Sequence, residues 1–409
     1  MDILPAERTK LKYIKPNKHL KISVAIIYYM GMWPKQDKYR CLYLLYTVCS
    51  LSFMLGIVLL SEIANIIVHW GNVEKLFAGA TLLITNLSHV MLILHRQKRI
   101  RGLIETTNNE MFSRNNAKHE RIVTYYTWHG IFHHITYQTF GAMAVLCWGF
   151  TPIANILAGR SKQLPLEGWH PYNVTATPAF EITSFYQTAA VVMACVNNVA
   201  IDTLTTGLIT VACCQLTLLH RNISSINANA KRQSIYSKYN TESRQSSMIT
   251  CNEFYDELKL YIKHKSNIRI SQCNKFLVKL LNISSFTKEI QNIFGTVIFL
   301  QFLVNCIIIC LIAFNITQYI PSILLGMVME THLFESHLQS MNITLAAFSN
   351  NWWQNTESFK RAMQIVMTRA QKPFVLSAGN IMDLSLQTFV RILRMSYSIF
   401  TVLQSSTDA

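Results

Sequence analysis

The sequence predicts an all-α membrane protein. It would have seven transmembrane helices with inverted topology, the N-terminus inside and the C-terminus outside, and a helical cytoplasmic anchor region. Three observations carry that expectation. The 409 residues are 51% apolar and only 14% charged, well below the roughly 25% charged residues of a soluble domain. Several uncharged runs reach the ~20 residues that a helix needs to cross a bilayer. The basic residues gather in alternate connections: 32 of the 37 Lys and Arg fall in residues 1–40, 95–129, 219–289 and 350–373. With seven spans, those four segments share one side, which the positive-inside bias makes the cytoplasm. The net charge of +16 thus reads as membrane orientation and not as a nucleic-acid surface.

The elements follow in order. Residues 1–40 form a cytoplasmic N-terminal segment. Within it, Leu20, Ile22, Val24, Ile26 and Ile27 are mixed with basic residues, the pattern of a helix lying on the inner membrane surface. This segment has no apolar stretch followed by a small-residue cleavage site, so the first span is expected to act as the insertion signal. Residues 41–218 hold spans one to four, in the uncharged runs Cys41–Ser61, Leu76–Leu94, Gly130–Gly159 and Ile182–Ala200, the last resuming after Asp202. The polar segment 95–129 extends spans two and three beyond the bilayer as helices. Residues 219–289 form a cytoplasmic loop with anchor helices. Their first part, rich in Ser, Asn, Gln and Arg, reads as flexible, and a helical period begins at Phe254.

Residues 290–349 hold spans five and six. The run Ile290–Met329 is uncharged over forty residues, too long for one span, and Asn315 to Pro321 breaks it, because Pro lacks an amide donor and disfavours helix before it. Residues 350–373 form a further cytoplasmic anchor helix. Span seven runs over 374–404 and carries Asp383, Arg391 and Arg394, and residues 405–409 are an extracellular tail. All ten Cys fall in spans or cytoplasmic segments, which argues against a disulfide framework. Asn173-Val174-Thr175 is a glycosylation sequon on the outer loop.

No nucleotide loop, catalytic triad or metal constellation appears, so the chain does not read as an enzyme or a cofactor protein. His133 and His134 are adjacent and point about 100° apart on a helix. Glu330, His332, Glu335 and His337 lack the i, i+4 His pair of helical zinc sites. Ionisable groups inside a membrane face protein or water. Asp202 and Glu62 read as packing residues or helix-end residues, and Arg391 as a residue near the inner half of a pore.

The closing residues are the most informative. They run through Gln339-Ser340, Ala346-Ala347-Phe348-Ser349, Trp352, Arg369-Ala370-Gln371-Lys372-Pro373 and Ala378-Gly379 to Ser396-Tyr397-Ser398-Ile399-Phe400-Thr401-Val402-Leu403. This pattern resembles the C-terminal signature of insect odorant receptors. Leu164-Pro165 and Trp169-His170-Pro171-Tyr172 also resemble that family's second outer loop.

The resemblance implies an odorant-gated, non-selective cation channel in the plasma membrane of sensory neurons. It implies a subunit that binds a small volatile ligand and assembles with the family's co-receptor (Orco-type) into a heteromeric, tetrameric channel. The loop 219–289 lacks the co-receptor's long insertion, so the chain resembles a tuning subunit. Carried over residue by residue, the ligand pocket falls on Thr85, Asn86, Phe140, Gly141, Ala144, Trp148, Met193, Asn197, Met327 and Val328. The gate falls on Val402, with Thr401 and Leu403 beside it and Arg391 below. Cys and Gly are usual in the family where Glu330 and Leu333 stand. The alternative is a gustatory receptor, but Tyr397 is followed by Gln404 after six residues, and Ser405 replaces the expected Phe. A G-protein-coupled receptor is disfavoured by the inside N-terminus, and a transporter by the absence of internal repeats.

Overall fold

The computed structural model describes residues 17–34, 39–68, 73–108, 119–166, 168–226, 251–314 and 342–372, with Ser377, Ala378, Met382, Asp383, Arg391, Arg394 and Ser398. The helices are α1 (Lys18–Tyr29), α2 (Arg40–Leu51), a π-helical turn (Ser52–Gly56), α3 (Ile57–Val68), α4 (Val73–Asn108), α5 (Glu120–Gly149), α6 (Thr151–Leu157), α7 (Ala179–Ser224) and α8 (Cys251–Phe314). A helix over residues 342–348, α9, and α10 (Glu357–Ala370) complete the set. Three helical stretches among the described residues are long and apolar enough to cross a membrane: Arg40–Val68, Glu120–Leu157 and Ala179–Ser224.

The centre of the molecule is α7. Its most apolar stretch is wholly buried, against 11% of the corresponding stretch of α5–α6. A first core gathers Ile201, Leu204 and Leu208 of α7 with Ile93 of α4, Tyr126 of α5, Phe294 of α8 and Leu20 of α1. A second, separate core joins Leu219 and Ile223 at the end of α7 to Leu280 and Ile283 of α8, Ile343 of α9, and Phe359 and Met363 of α10. Anchor helices from 219–289 and 350–373 therefore pack on one another, as their apolar periods require. The segments expected as an anchor helix and as the fifth span are one helix of 64 residues: between Phe254 and Phe314 no Pro interrupts the amide ladder, so nothing stops the helix.

The N-terminal helix departs from the surface position expected of it. His19, Leu20, Ser23 and Ile27 of α1 are buried, and α1 lies in a groove between α5 and α7. Two glycines open that groove. A methyl at Gly130 of α5 would stand 2.8 Å from Cγ of His19, and one at Gly207 of α7 would stand 2.8 Å from Cδ2 of Leu20. Small residues permit such close approach between membrane helices, where packing and not water exclusion holds the bundle.

The far end of α1 is finished by the first span. A helix leaves its last carbonyls without amide partners. Here Tyr43, Tyr46, Ser50 and Thr47 donate hydroxyls to the carbonyls of Tyr28, Tyr29, Met30 and Gly31. Gly31 takes φ 84°, with its amide on the Tyr28 carbonyl and the Met32 amide on the Ile27 carbonyl, a left-handed C-terminal motif that suits glycine.

Near the start of the expected seventh span, Ser377–Ala378 and Met382–Asp383 pair as an antiparallel ribbon. This differs from a helix running from about residue 374. The sequence carries the reason: Pro373 denies its amide, and Gly379-Asn380 is a turn-forming pair.

Candidate functional site

The polar side chains of α7 face its neighbours in a column. Thr203, Thr205, Thr206 and Thr210 each donate to the carbonyl four residues back, which keeps their hydroxyls satisfied inside an apolar bundle. Toward α4, Asn198 donates to Oδ1 of Asn86 at 3.0 Å. One turn further along α7, Asp202 accepts from Nε2 of His89 at 3.0 Å and from Nε2 of Gln301 of α8 at 3.1 Å. Nδ1 of His89 also donates, to the carbonyl of Thr85 at 2.7 Å. Both ring nitrogens thus face acceptors, the arrangement that a doubly protonated ring satisfies. Asp202 ties α4, α7 and α8 together.

Toward α5, Nδ1 of His134 bonds Oγ1 of Thr203 at 2.8 Å, and Ser23 of α1 joins both. His133 instead stacks on Tyr137 and reaches Thr206 at 3.5 Å. The adjacent histidines thus serve different partners. Nε2 of His19 donates to the carbonyl of Gly207 at 3.2 Å, and burial holds the His19 ring neutral, with its pKa down to about 4.

Of the sequence-expected pocket residues, Asn86, Gly141, Met193 and Asn197 lie on or against α7. Gly141 is buried, and a methyl there would stand 3.1 Å from Sγ of Cys195 and 3.3 Å from Cγ2 of Val199 of α7. Asn86 is bonded to α7, and Thr85 donates its hydroxyl to Thr81 at 2.8 Å. Met193 packs against the first core, and one turn on, Asn197 is 0% exposed. Ala144 and Trp148 are half-buried. Phe140 stands apart at 40% exposure. Met327 and Val328 lie outside the described residues, as do Glu330, His332, Glu335 and His337 of the same span and Thr401, Val402 and Leu403 of the expected gate. Arg391 is a helical residue and exposed.

Asn173 is exposed, its Oδ1 accepting both the amide of Thr175 at 3.0 Å and its hydroxyl at 2.7 Å. The loop around it clips onto the bundle: Gln187 of α7 bonds the amide and carbonyl of Leu166, and the Trp169 amide bonds the carbonyl of Ser61. The pairing of His89 with Asp202 escapes sequence reading, since 113 positions separate the partners. An isolated Asp inside an apolar run was its one signal.

A family model described as 7tm Odorant receptor matches residues 72–397. The chain belongs to this family. Among its relatives, odorant receptor Or1 of Anopheles gambiae is 22% identical over 417 aligned residues, covering 94% of each chain. Odorant receptor 13a of Drosophila melanogaster is 21% identical, over 85% of this chain and 82% of that one. The match to odorant receptor 10 of Aedes albopictus is 27% identical over 135 residues, 36% of that relative's length.

Among solved structures, the insect olfactory receptor OR5 from Machilis hrabei in complex with eugenol superposes with a TM-score of 0.74. That comparison covers 96% of this chain and 99% of the other at 14% identity. A second structure of that receptor gives a TM-score of 0.69. The fold of that receptor therefore extends over nearly the whole chain.

Proposed function

We propose that this odorant receptor is the ligand-binding subunit of a ligand-gated, non-selective cation channel, assembled with the family's co-receptor into a tetramer in the plasma membrane of sensory neurons. The carrying observation is the family match over residues 72–397. The structural likeness to a receptor solved with eugenol, a small aromatic volatile, supports a ligand of that size and apolar character. The chain crosses the membrane seven times, N-terminus inside, as the distribution of basic residues requires. On that topology Asn173 faces outward and carries a glycan. The ligand contacts the region of Thr85, Asn86, Gly141, Ala144, Trp148, Met193 and Asn197, where α4, α5 and α7 converge. Phe140, Met327 and Val328 are assigned to the same pocket on the family resemblance alone. Span seven lines the pore, with Val402 as the constriction between Thr401 and Leu403 and Arg391 toward the inner half. A ring of apolar side chains closes a pore by excluding water.

The test is expression in oocytes with and without an odorant co-receptor, against a panel of volatiles. Ligand-evoked cation current is expected only with both chains present. Current that needs a G protein and no partner chain would overturn the reading. An epitope after Ala409 should be stained on unpermeabilised cells, and staining only after permeabilisation would overturn the topology.

A further inference from the structure

Asn197 is a fully buried side chain, at 0% exposure, and neither Nδ2 nor Oδ1 meets a hydrogen-bond partner. Among the described residues no other side chain buries two such atoms. An unmatched buried donor or acceptor is destabilising. A Leu would fill a similar volume with no polar atom to satisfy. The neighbouring amide is satisfied: Asn198, one residue on, donates to Asn86. The residues one turn away, Met193 and Ala194 on one side and Ala200 and Ile201 on the other, are apolar and buried or half-buried. A single amide is therefore held without a partner in an apolar setting, at the level of Asn86 and Gly141.

We infer that Asn197 is the polar handle of the ligand site and selects small neutral molecules bearing an oxygen, such as alcohols, phenols, ketones and aldehydes, over hydrocarbons of the same shape. The inference rests on the reading of this region as the ligand site. A carbonyl oxygen accepts from Nδ2. A hydroxyl accepts from Nδ2 and also donates to Oδ1, so it satisfies both atoms. A hydrocarbon satisfies neither and leaves the amide as it is. A carboxylate is rejected, because one amide does not offset the desolvation of a full charge. Apolar walls give affinity and a few placed polar groups give selectivity.

The test uses the full chain with its co-receptor and probes of matched size: octane, 1-octanol and 2-octanone, and toluene, phenol and benzaldehyde. Currents are expected from oxygenated members and not from their hydrocarbons. Asn197→Leu lowers the potency of the oxygenated probes by about tenfold or more, the worth of one or two hydrogen bonds. Asn197→Ser, which retains a hydroxyl, restores part of it. In parallel, the purified ligand-free complex carrying Asn197→Leu melts at or above the wild-type temperature, since two unmatched polar atoms are gone. Potency for oxygenated probes unchanged in Asn197→Leu would overturn the inference. So would a melting temperature well below wild type, which would mean that the amide is bonded in the folded protein. Silence of every probe in a surface-expressed complex counts against the channel reading, and the melting comparison still decides the inference.

Discussion

His89 and Asp202 meet at 3.0 Å in the middle of the helix bundle, the His side chain at 0% exposure and the Asp side chain at 10%. Gln301 closes on the second carboxylate oxygen at 3.1 Å. Three helices are thereby fastened at one level by a carboxylate that an apolar bundle would otherwise exclude.

Removing one partner of this pair should cost more than removing both. His89→Leu leaves the carboxylate with Gln301 alone and is expected to destabilise by about 3–5 kcal/mol. The double change His89→Leu with Asp202→Leu is expected to recover most of that loss. Thermal melting of the solubilised complex, run as a double-mutant cycle, measures the coupling. Additive losses would show that the two residues act independently.

The seat of α1 predicts opposite outcomes for two glycine substitutions. Gly130→Ala drives a methyl toward the root of the buried His19 ring, within 2.8 Å, and should destabilise by about 1–3 kcal/mol. A methyl at Gly102 of α4 meets nothing within 4 Å. Gly102→Ala should therefore stabilise by about 0.5–1 kcal/mol, because glycine is a poor helix residue. Melting temperatures of the two variants should move in opposite directions.

Lys279 of α8, next to Leu280 in sequence, is buried at 8% exposure, and Nζ has no hydrogen-bond partner. Burial pushes its ammonium pKa down to about 8, below the ordinary lysine value near 10.5. Between those two values the folded state binds fewer protons than the unfolded chain, so this group's contribution to stability rises with pH across about 8 to 10.5 and is flat below. Lys279→Met should abolish that rise and raise stability at pH 7 by an amount on the order of 2 kcal/mol. Denaturation series at pH 7, 8.5 and 10 check the slope.

A polar side chain at the proposed gate should keep the constriction wet. Val402→Asn or Val402→Ser, expressed with the co-receptor, should raise ligand-independent current or alter cation permeability ratios, in part only if some subunits are the co-receptor. The same change at Leu384, far below on the same span, should do much less. Normal surface expression with unchanged resting current and selectivity would place Val402 against lipid or protein.

The membrane character of this chain was legible because it depends on composition: long uncharged runs need no contact information. The anchor core was legible for a similar reason, since Leu280 and Phe359 sit in helical periods with an apolar face to bury. The groove for α1 was not. Leu20 and Ile27 look the same on a membrane surface as between two helices, and the glycines that decide the matter, Gly130 and Gly207, lie more than a hundred positions away. The site divides likewise. Asp202 announced itself as a charge inside an apolar run, while His89 as its partner did not. Gly141 and Met193 could be assigned by resemblance, but the unmatched amide of Asn197 appears only once every neighbour is in place.

The unbroken helix α8 has a mechanical consequence. It carries Gln301, on the Asp202 carboxylate, and Cys273, inside the second core, on one rod. At 1.5 Å per residue, those two positions are roughly 42 Å apart. A tilt of about 5° pivoting at Gln301 would sweep Cys273 sideways by about 4 Å, roughly the width of one side-chain contact. A tilt too small to break the hydrogen bond between Gln301 and Asp202 is thus magnified into a sideways shift inside the second core, with no Pro between to interrupt the rod.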